Sequence, residues 1–383
     1  MTRKVDGMPR WLELRSDVQI AGAITALLRV VYSANAAAGA LLLHPQANLI
    51  RGNAFTENLS SAGGWHYALL GIWERFDTLW YLHIAERGYD RPAAVVFYPL
   101  YPALIRGLGW IVEPIAGALL ISTVAAFFYS YGLLRLARSE FPNAQPMRTA
   151  CLAAVWPASF FLFAGYTEAL AMALIVWCIL WARREHWLAA TACAFAAGLT
   201  RSAGTLLIIP LLVMALRARS GQKSNARGWV LAAPLGTLSY WLWLRRTGRL
   251  GVAAAYRTYW NTDVAAPWIT LWRAVRSLAE RFEPLVLMSL GALVLVFVAG
   301  IIARRRAEDR WFSAAVIVLL LLRMCSPPLF GSPRYLLPVY PAYLTMGDWV
   351  KKMNSARFVF LCAALLACNL GWMWAFLNWS LVL

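Results

Sequence analysis

Long apolar runs recur along the whole chain, and they constrain its fold more than any other feature of the sequence. Residues 284–303 and 311–322, for example, contain no charged side chain. A run of roughly 20 apolar residues is long enough to cross a bilayer as an α-helix. Hydrophobic residues make up 61% of the 383 residues and charged residues only 14%, a low charged fraction for a soluble domain. The sequence therefore predicts an all-α polytopic membrane protein, with 1–383 forming a single transmembrane domain.

About eleven spans are expected when each needs roughly 20 apolar residues, or fewer where a helix is short or re-entrant. The first span, 18–43, is interpreted as a membrane helix and not as a cleavable signal peptide. It is too long for the apolar region of a signal peptide, and no small-residue cleavage site follows it. The predicted spans are 18–43, 114–136, 148–165, 168–182, 187–200, 203–216, 228–244, 284–303, 311–325, 335–350 and 358–380.

Short basic clusters in alternate connections between these spans predict the orientation of the chain. Cytoplasmic loops of membrane proteins carry an excess of Lys and Arg, and one orientation puts all 4 lysines on the cytoplasmic side. In that orientation 44–113 is a long first external loop carrying short amphipathic helices, and 245–283 is a second external loop. The net charge of +18 thus follows membrane topology, and no nucleic-acid partner is expected.

The first external loop holds a carboxylate, Asp77, in a polar and aromatic stretch. Trp73, Asp77, Trp80 and Tyr81 follow helical spacing, which predicts a short amphipathic helix in the membrane interface. A carboxylate at this place could act as a general base on an acceptor hydroxyl. It could instead be an ion-pair partner for Arg75 or a helix N-cap.

Two arginines are predicted to lie within the membrane or at its external edge, Arg201 and Arg334. Charges at that depth are costly and usually have a function or a partner. The guanidinium fork suits phosphate oxygens, which favours a phosphate site. The alternative is structural, because Glu168 at the head of a predicted span could pair with one of them.

Three further patterns are less specific. The aromatic-proline segment 97–102, with Tyr98 and Tyr101, could stack on a sugar ring or belong to the aromatic belt at the interface. The histidines are too few, without defined carboxylate partners, to indicate a metal site. The six cysteines lie in or beside apolar spans without ligand spacing, and neither a metal nor a cofactor is expected.

Four blocks in order along the chain carry a family resemblance. They are R-F-D-T-L-W-Y-L-H-I-A-E-R-G-Y at 75–89 with F-Y-P-L-Y-P at 97–102, P-A-S-F-F at 157–161 leading to Y-T-E at 166–168, L-T-R-S-A-G at 199–204, and R-Y followed by P and Y-P at 334–341. Over about 70–345 the chain resembles the PIG-V-type mannosyltransferases, which add the second mannose in the synthesis of GPI anchors, and their prokaryotic relatives. These enzymes belong to the GT-C superfamily of membrane glycosyltransferases.

The resemblance implies a GT-C fold and an inverting transfer of a sugar, with mannose expected, from a polyprenyl-phosphate donor on the non-cytoplasmic face. Asp77 would be the catalytic base, and Arg201 and Arg334 would bind the donor phosphate. No metal is demanded, because arginines can hold the leaving phosphate. The residues expected to bind substrate are Arg75, Trp80, His83, Tyr98, Tyr101, Tyr166, Glu168, Tyr335 and Trp260.

Two departures from the family pattern concern the acceptor more than the donor. The family has a Glu-Gln pair before its aromatic-proline block where this chain has Ala93-Ala94-Val95-Val96, and it has Asn where this chain has Ala203. The compact loops and the Arg- and Ala-rich composition are typical of a bacterial protein. A lipid or protein acceptor of a bacterial cell envelope is therefore expected, with the enzyme in the inner membrane and its active site on the periplasmic face.

Two other functions are compatible with the same features. A transporter or flippase for a lipid-linked sugar would be expected to show internal repeats and corresponding broken helices, and the sequence has no such duplication. The other function is a non-catalytic subunit that binds a partner enzyme or a lipid-linked sugar; retention of activity by an Asp77→Asn variant would favour it or place the base at another residue.

Overall fold

A computed structural model describes residues 10–43, 50, 54–56, 64–141, 146–218 and 224–380. The chain is mostly helical in these ranges. The α-helices are α1 Arg10–Leu42, α2 Gly64–Leu69, α3 Asp77–Arg87, α4 Leu100–Leu108, α5 Pro114–Glu140, α6 Pro146–Ala154, α7 Glu168–Ala182, α8 Trp187–Gly198, α9 Ser202–Thr205, α10 Ile208–Arg217, α11 Leu235–Arg246, α12 Val252–Tyr259, α13 Pro267–Glu280, α14 Pro284–Phe297, α15 Ala307–Leu321, α16 Ser332–Tyr335, α17 Tyr340–Trp349 and α18 Ser355–Leu377. The shorter elements are 3-10 helices at Gly71–Trp73, Pro92–Val96, Ser159–Leu162 and Ser224–Ala232, a π-helical turn at Val298–Ile302, and strands β1 Asp263–Val264 and β2 Arg323–Met324.

Among the described residues, 4 helical segments are long and apolar enough to cross a membrane: Ser16–Leu42, Pro114–Glu140, Pro284–Ile302 and Ser355–Leu377. Shorter apolar helices of 10 to 17 residues lie at Glu168–Ala182, Trp187–Gly198 and Ser202–Arg217. The chain is therefore a helical integral membrane protein. The count of eleven spans remains a prediction.

Prolines divide several of the predicted spans. The expected span 148–165 is a helix only to Ala154, and Pro157 lies in the turn that follows it. The expected span 228–244 is divided at Pro234, and in the expected span 335–350 the helix begins at Tyr340, beyond Pro338. Proline lacks the backbone N–H that a helix interior needs, so an apolar run that contains it forms two short pieces.

The centre of the core is the packing of α5 against α7, with α1 and α8 on either side. Gly132 of α5 makes this contact close, because a Cβ at that position would lie 2.7 Å from the Val176 side chain of α7. Small residues at helix contacts let backbones approach each other, which is how helices pack within membranes. The resulting core is contiguous and includes Phe160, Phe161 and Tyr166 in the turns just before α7.

The first external loop contains a sharp turn before α3. Trp73 lies in a preceding 3-10 helix and α3 begins at Asp77, so the predicted helical face does not reach back to Trp73. Phe76, between them, has φ 48° and ψ −118°, a conformation that residues with a side chain seldom adopt. Its ring packs against Phe376 and Trp379, with ring centroids 5.6 and 5.1 Å apart. Of this loop, 44–49, 51–53 and 57–63 lie outside the described residues.

The predicted second external loop, 245–283, contains α12, β1 and α13. Strands β1 and β2 pair antiparallel, with Asp263 opposite Met324 and Val264 opposite Arg323. This short ladder joins the loop to the segment that follows α15. It therefore places β1 beside the end of α15.

Candidate functional site

A cavity of about 320 Å³ lies where α3, the turn before α9, β1, β2 and α16 meet. Its polar lining includes Asp77, Thr167, Arg201, Arg323 and Arg334. A second group of lining residues is apolar and comes from α15 and the residue after it, at Val316, Leu319, Leu320 and Leu322. The cavity thus has a charged end and an apolar wall.

Asp77 is held at this cavity by its backbone and by its side chain. Its amide N–H donates to the Tyr166 hydroxyl at 3.2 Å, which fixes the start of α3 against the turn before α7. Its Oδ2 accepts a hydrogen bond from Arg334 Nη2 at 2.7 Å. The Asp77 side chain is still 17% exposed, whereas Arg334 is 4% exposed. One face of the carboxylate is therefore open to the cavity.

Glu168 is the buried centre of the charge network. It accepts hydrogen bonds from Arg201 Nη1 and from Arg334 Nε, and only 1% of its side chain is exposed. Arg201 also donates to the Thr167 hydroxyl at 3.2 Å. Four charges thus alternate in sign in the order Arg201, Glu168, Arg334 and Asp77. The pairing of Glu168 with an arginine, left open by the sequence, involves both arginines.

Aromatic rings flank the three arginines. The Arg334 guanidinium carbon lies 4.5 Å from the Tyr166 ring centroid and 4.8 Å from that of Phe161. Tyr335 is within reach of all three guanidiniums, at 5.5 Å from Arg201, 5.7 Å from Arg334 and 3.8 Å from Arg323. Such contacts stabilise cations at the ring face. They hold the guanidinium groups in place without using their N–H donors.

The structure brings together five of the residues predicted for the site, since Asp77, Tyr98, Arg201, Arg334 and Tyr335 all line the cavity. Glu168 and Tyr166 are not among the lining residues but contact residues that line the cavity, as described above. Trp80 and Trp260 lie behind Phe97, which lines the cavity. The ring centroid of each tryptophan is about 5.5 Å from that of Phe97.

Three other predicted site residues are not among the residues that line the cavity, and their polar groups contact other parts of the protein. Arg75 donates to the Leu377 carbonyl and to the Tyr67 hydroxyl, and it is buried. His83 pairs with Asp90 at 2.6 Å. Tyr101 donates to the Ala118 carbonyl at 2.9 Å. Their roles in binding substrate stay predictions.

Sequence reasoning missed Arg323 and Asp263, both of which line the cavity, as does Tyr256 of the predicted second external loop. The signal for Arg323 is in the sequence: it stands at the external end of a predicted span, where the positive-inside tendency disfavours a basic residue. Asp263 carries no such signal, because only the β1–β2 pairing places it against the cavity.

Titratable groups of the two predicted external loops have defined protonation states at the cavity wall. Burial raises the pKa of the Tyr98 hydroxyl to about 12 and also raises the pKa of Tyr256, so both are neutral donors at neutral pH. Hydrogen bonds from the Val264 amide and from Arg257 hold the pKa of the Asp263 carboxyl below its usual value. That carboxylate is therefore already engaged outside the charge network of Asp77.

Carboxylates, histidines and cysteines do not assemble into a metal site in the described part of the chain, where no group of three or more of them could hold an ion. The chemistry available at the cavity consists of an open carboxylate, three guanidiniums and neutral hydroxyl donors. Such a set is suited to removing a proton from a hydroxyl and to binding an anionic group.

Comparison with known proteins gives one short sequence match. GPI mannosyltransferase 2 of Drosophila melanogaster is 32% identical over 111 residues, which cover 26% of this chain and 25% of the fly protein. The chain thus spans about a quarter of the length of the curated relative it matches. No family model matches the sequence.

Among solved structures, ArnT from Cupriavidus metallidurans bound to undecaprenyl phosphate is similar over 77% of this chain and 59% of that chain, with 16% sequence identity and a TM-score of 0.47. The fly match confirms the resemblance to PIG-V-type proteins that the motifs predicted. The chain is thus an integral membrane protein similar, over a quarter of its length, to a GPI mannosyltransferase.

Proposed function

We propose that this protein is an inverting glycosyltransferase that moves a sugar, with mannose expected, from a polyprenyl-phosphate donor to an acceptor hydroxyl at the non-cytoplasmic face of a membrane. The observation that carries the proposal is the Asp77 carboxylate, which is open to a 320 Å³ cavity and paired at 2.7 Å with Arg334. A general base and an anion-binding group at one cavity are what such a transfer requires.

In the proposed reaction Asp77 takes the proton of the acceptor hydroxyl. The acceptor oxygen forms a bond to the anomeric carbon as the bond from that carbon to the phosphate oxygen breaks, and the electron pair leaves with the phosphate. A single displacement of this kind inverts the anomeric carbon. The total charge is conserved, because Asp77 loses its negative charge as the leaving phosphate changes from a monoanion to a dianion.

Arg334 links these two events. While Asp77 is ionised, it accepts a hydrogen bond from Arg334 Nη2. Once Asp77 is protonated, that guanidinium loses an anionic partner at the moment when the phosphate gains a charge. A charge-assisted hydrogen bond to the phosphate would then replace the one to Asp77, which favours the products without exposing an unpaired buried cation.

The apolar wall of the cavity suits the lipid part of the donor. Val316, Leu319 and Leu320 project from α15 next to the polar end that contains Arg323 and Arg334. A polyprenyl chain against this wall would leave its phosphate at the arginines. Transfer of the chain from water to an apolar surface contributes binding energy in proportion to the area buried.

Both departures from the family pattern lie near the cavity. Ala203 and Val96 line it, where the family pattern has an amide side chain and a polar pair, respectively. Loss of hydrogen-bonding groups at these two positions supports an acceptor other than a GPI precursor. We propose a lipid or protein of a bacterial cell envelope, with the protein in the inner membrane and the cavity facing the periplasm.

The test is a transfer assay with the purified full chain in lipid nanodiscs, radiolabelled polyprenyl-phosphate mannose and a membrane-lipid extract. We expect label to move into a new product whose sugar has the anomeric configuration opposite to that of the donor. The same protein in sealed vesicles separates the alternatives. Movement of intact donor across the bilayer without a new product would indicate a flippase, and saturable donor binding with neither event would indicate a binding subunit.

A further inference from the structure

The two arginines predicted to bind the donor phosphate are already neutralised in the resting site. Arg201 and Arg334 share Glu168, and Arg334 also pairs with Asp77. Two positive and two negative charges leave no net charge for an incoming anion. A polyprenyl-phosphate sugar is a phosphodiester with one negative charge, so the proposed function requires a further cation at the cavity.

Arg323 is the third arginine of the cavity lining. Its backbone is held by the pairing of β2 with β1, opposite Val264. Its Nη1 is buried and has no hydrogen-bond partner among the described residues, which is costly unless a ligand supplies an acceptor. The nearby carboxylate of Asp263 accepts hydrogen bonds from Arg257 instead, at 2.8 and 3.0 Å.

The position of the guanidinium leaves its donors available. The Arg323 guanidinium carbon lies 3.8 Å from the Tyr335 ring centroid, so the contact is with the ring and not with an acceptor atom. Leu319, Leu320 and Leu322 of the apolar wall precede it closely in sequence and line the same cavity. Arg323 therefore stands at the boundary between the charged end and the apolar wall, where the phosphate of a lipid-linked donor joins its prenyl chain.

We infer that Arg323 binds the phosphodiester of the polyprenyl-phosphate donor in the resting site, from its lining position, its unpartnered Nη1 and its contact with Tyr335. This inference rests on the proposed function and deepens it. Arg323 supplies the one positive charge that matches the donor, and Arg334 serves the second charge that develops as the phosphate leaves. The guanidinium fork matches two phosphate oxygens at once.

The test measures binding and does not depend on transfer. Tritiated polyprenyl-phosphate mannose, without an acceptor, and uncharged polyprenol are titrated into purified full-length protein in nanodiscs, for the wild type, Arg323→Gln, Arg323→Lys and Arg276→Gln. Arg276 is a matched control, because it is an exposed arginine paired with Glu280 at 2.6 Å. Thermal unfolding of each variant checks that it is folded.

We expect Arg323→Gln to weaken binding of the polyprenyl-phosphate mannose donor by about tenfold to a hundredfold, the usual range for a lost charged hydrogen bond. Binding of polyprenol and the Arg276→Gln variant should be unchanged. Arg323→Lys should recover part of the loss, since it keeps the charge but not the fork. It also serves as the deciding variant if Arg323→Gln does not fold.

Two outcomes would overturn the inference and are distinguishable from each other. Equal phosphate affinity in the wild type and both Arg323 variants would place the anion elsewhere and leave the proposed function standing. No binding of the polyprenyl-phosphate mannose donor to the wild type would remove both the inference and the proposed function.

Discussion

Asp77 and Glu168 are both carboxylates beside Arg334, and their surroundings suit them to different tasks. Glu168 is 1% exposed and contacts two arginines, whereas Asp77 is 17% exposed and contacts one. A carboxylate that is open on one side can meet a substrate. One that is enclosed between two guanidiniums holds them in place. These differences support the proposal that Asp77 is the catalytic base and that Glu168 positions the two arginines.

Replacement of Glu168 by Gln tests this division through stability. The change leaves Arg201 and Arg334 buried with one carboxylate fewer, and removal of one partner from a buried ion pair typically costs about 3–5 kcal/mol. We expect a clear fall in the unfolding temperature in detergent. The matched control is Glu280→Gln, where the partner Arg276 is exposed, and no resolvable change is expected there. Equal unfolding temperatures of the two variants would show that Glu168 does not hold the two arginines in the folded structure.

At the level of elements, the site is assembled from the ends of helices and from the turns between them. Asp77 begins α3, Glu168 begins α7, Arg201 immediately precedes α9 and Arg334 lies in the four-residue α16. Helix ends point their side chains at neighbouring elements more freely than helix interiors in a packed bundle. The placement of α3 relative to α16 determines whether Asp77 reaches Arg334, and α3 is in turn held against the turn before α7 by the hydrogen bond from the Asp77 amide to Tyr166.

Gly165, just before α7, allows α3 to approach closely. A Cβ at this position would lie 2.7 Å from Cγ2 of Thr78, the residue after Asp77. We expect Gly165→Ala to displace the start of α3 and lower transfer by up to about a hundredfold, as small misplacements of catalytic groups can do. Gly107→Ala, in α4 with open space around it, is the control. Wild-type turnover of Gly165→Ala would mean that α3 tolerates the shift.

The whole molecule carries a second buried charge cluster away from the cavity. Arg183 and Arg304 pair with Glu140 and Asp309, and Asp309 also accepts a hydrogen bond from Tyr340. These residues belong to or adjoin α5, α7, α15 and α17. The predicted orientation puts the four charged residues of this cluster near the cytoplasmic ends of the helices and the cavity near the external ends.

This orientation is testable with alkaline phosphatase fusions, which are active only outside the cytoplasm. A fusion after Arg281 should be strongly active in bacterial cells, because 245–283 is predicted to be external. A fusion after Arg306 should be inactive, because the apolar segment Pro284–Ile302 separates the two positions and the basic cluster 304–306 favours the cytoplasm. The reverse pattern of activity would place the cavity on the cytoplasmic side.

The sequence predicted the membrane class, and it predicted three of the cavity residues, Asp77, Arg201 and Arg334, because charged side chains are rare in an otherwise apolar chain. Arg201 and Arg334 stand out at the ends of apolar runs, and Asp77 stands out in an aromatic loop. The sequence did not predict the broken helices at Pro157, Pro234 and Pro338, because hydropathy alone extends across them. It also did not predict the contact of β1 with β2, which joins segments 60 residues apart and brings Arg323 to the site.

The most direct test of the account is the turnover of Asp77→Asn in the transfer assay, beside Glu86→Gln, which alters an exposed carboxylate of the same helix α3. Asn keeps the size of Asp77 but cannot take a proton. We predict a loss of about 10²–10⁴-fold in kcat for Asp77→Asn, the usual contribution of a general base, with normal folding and no loss for Glu86→Gln. Wild-type turnover by a folded Asp77→Asn protein would contradict the assignment of the base.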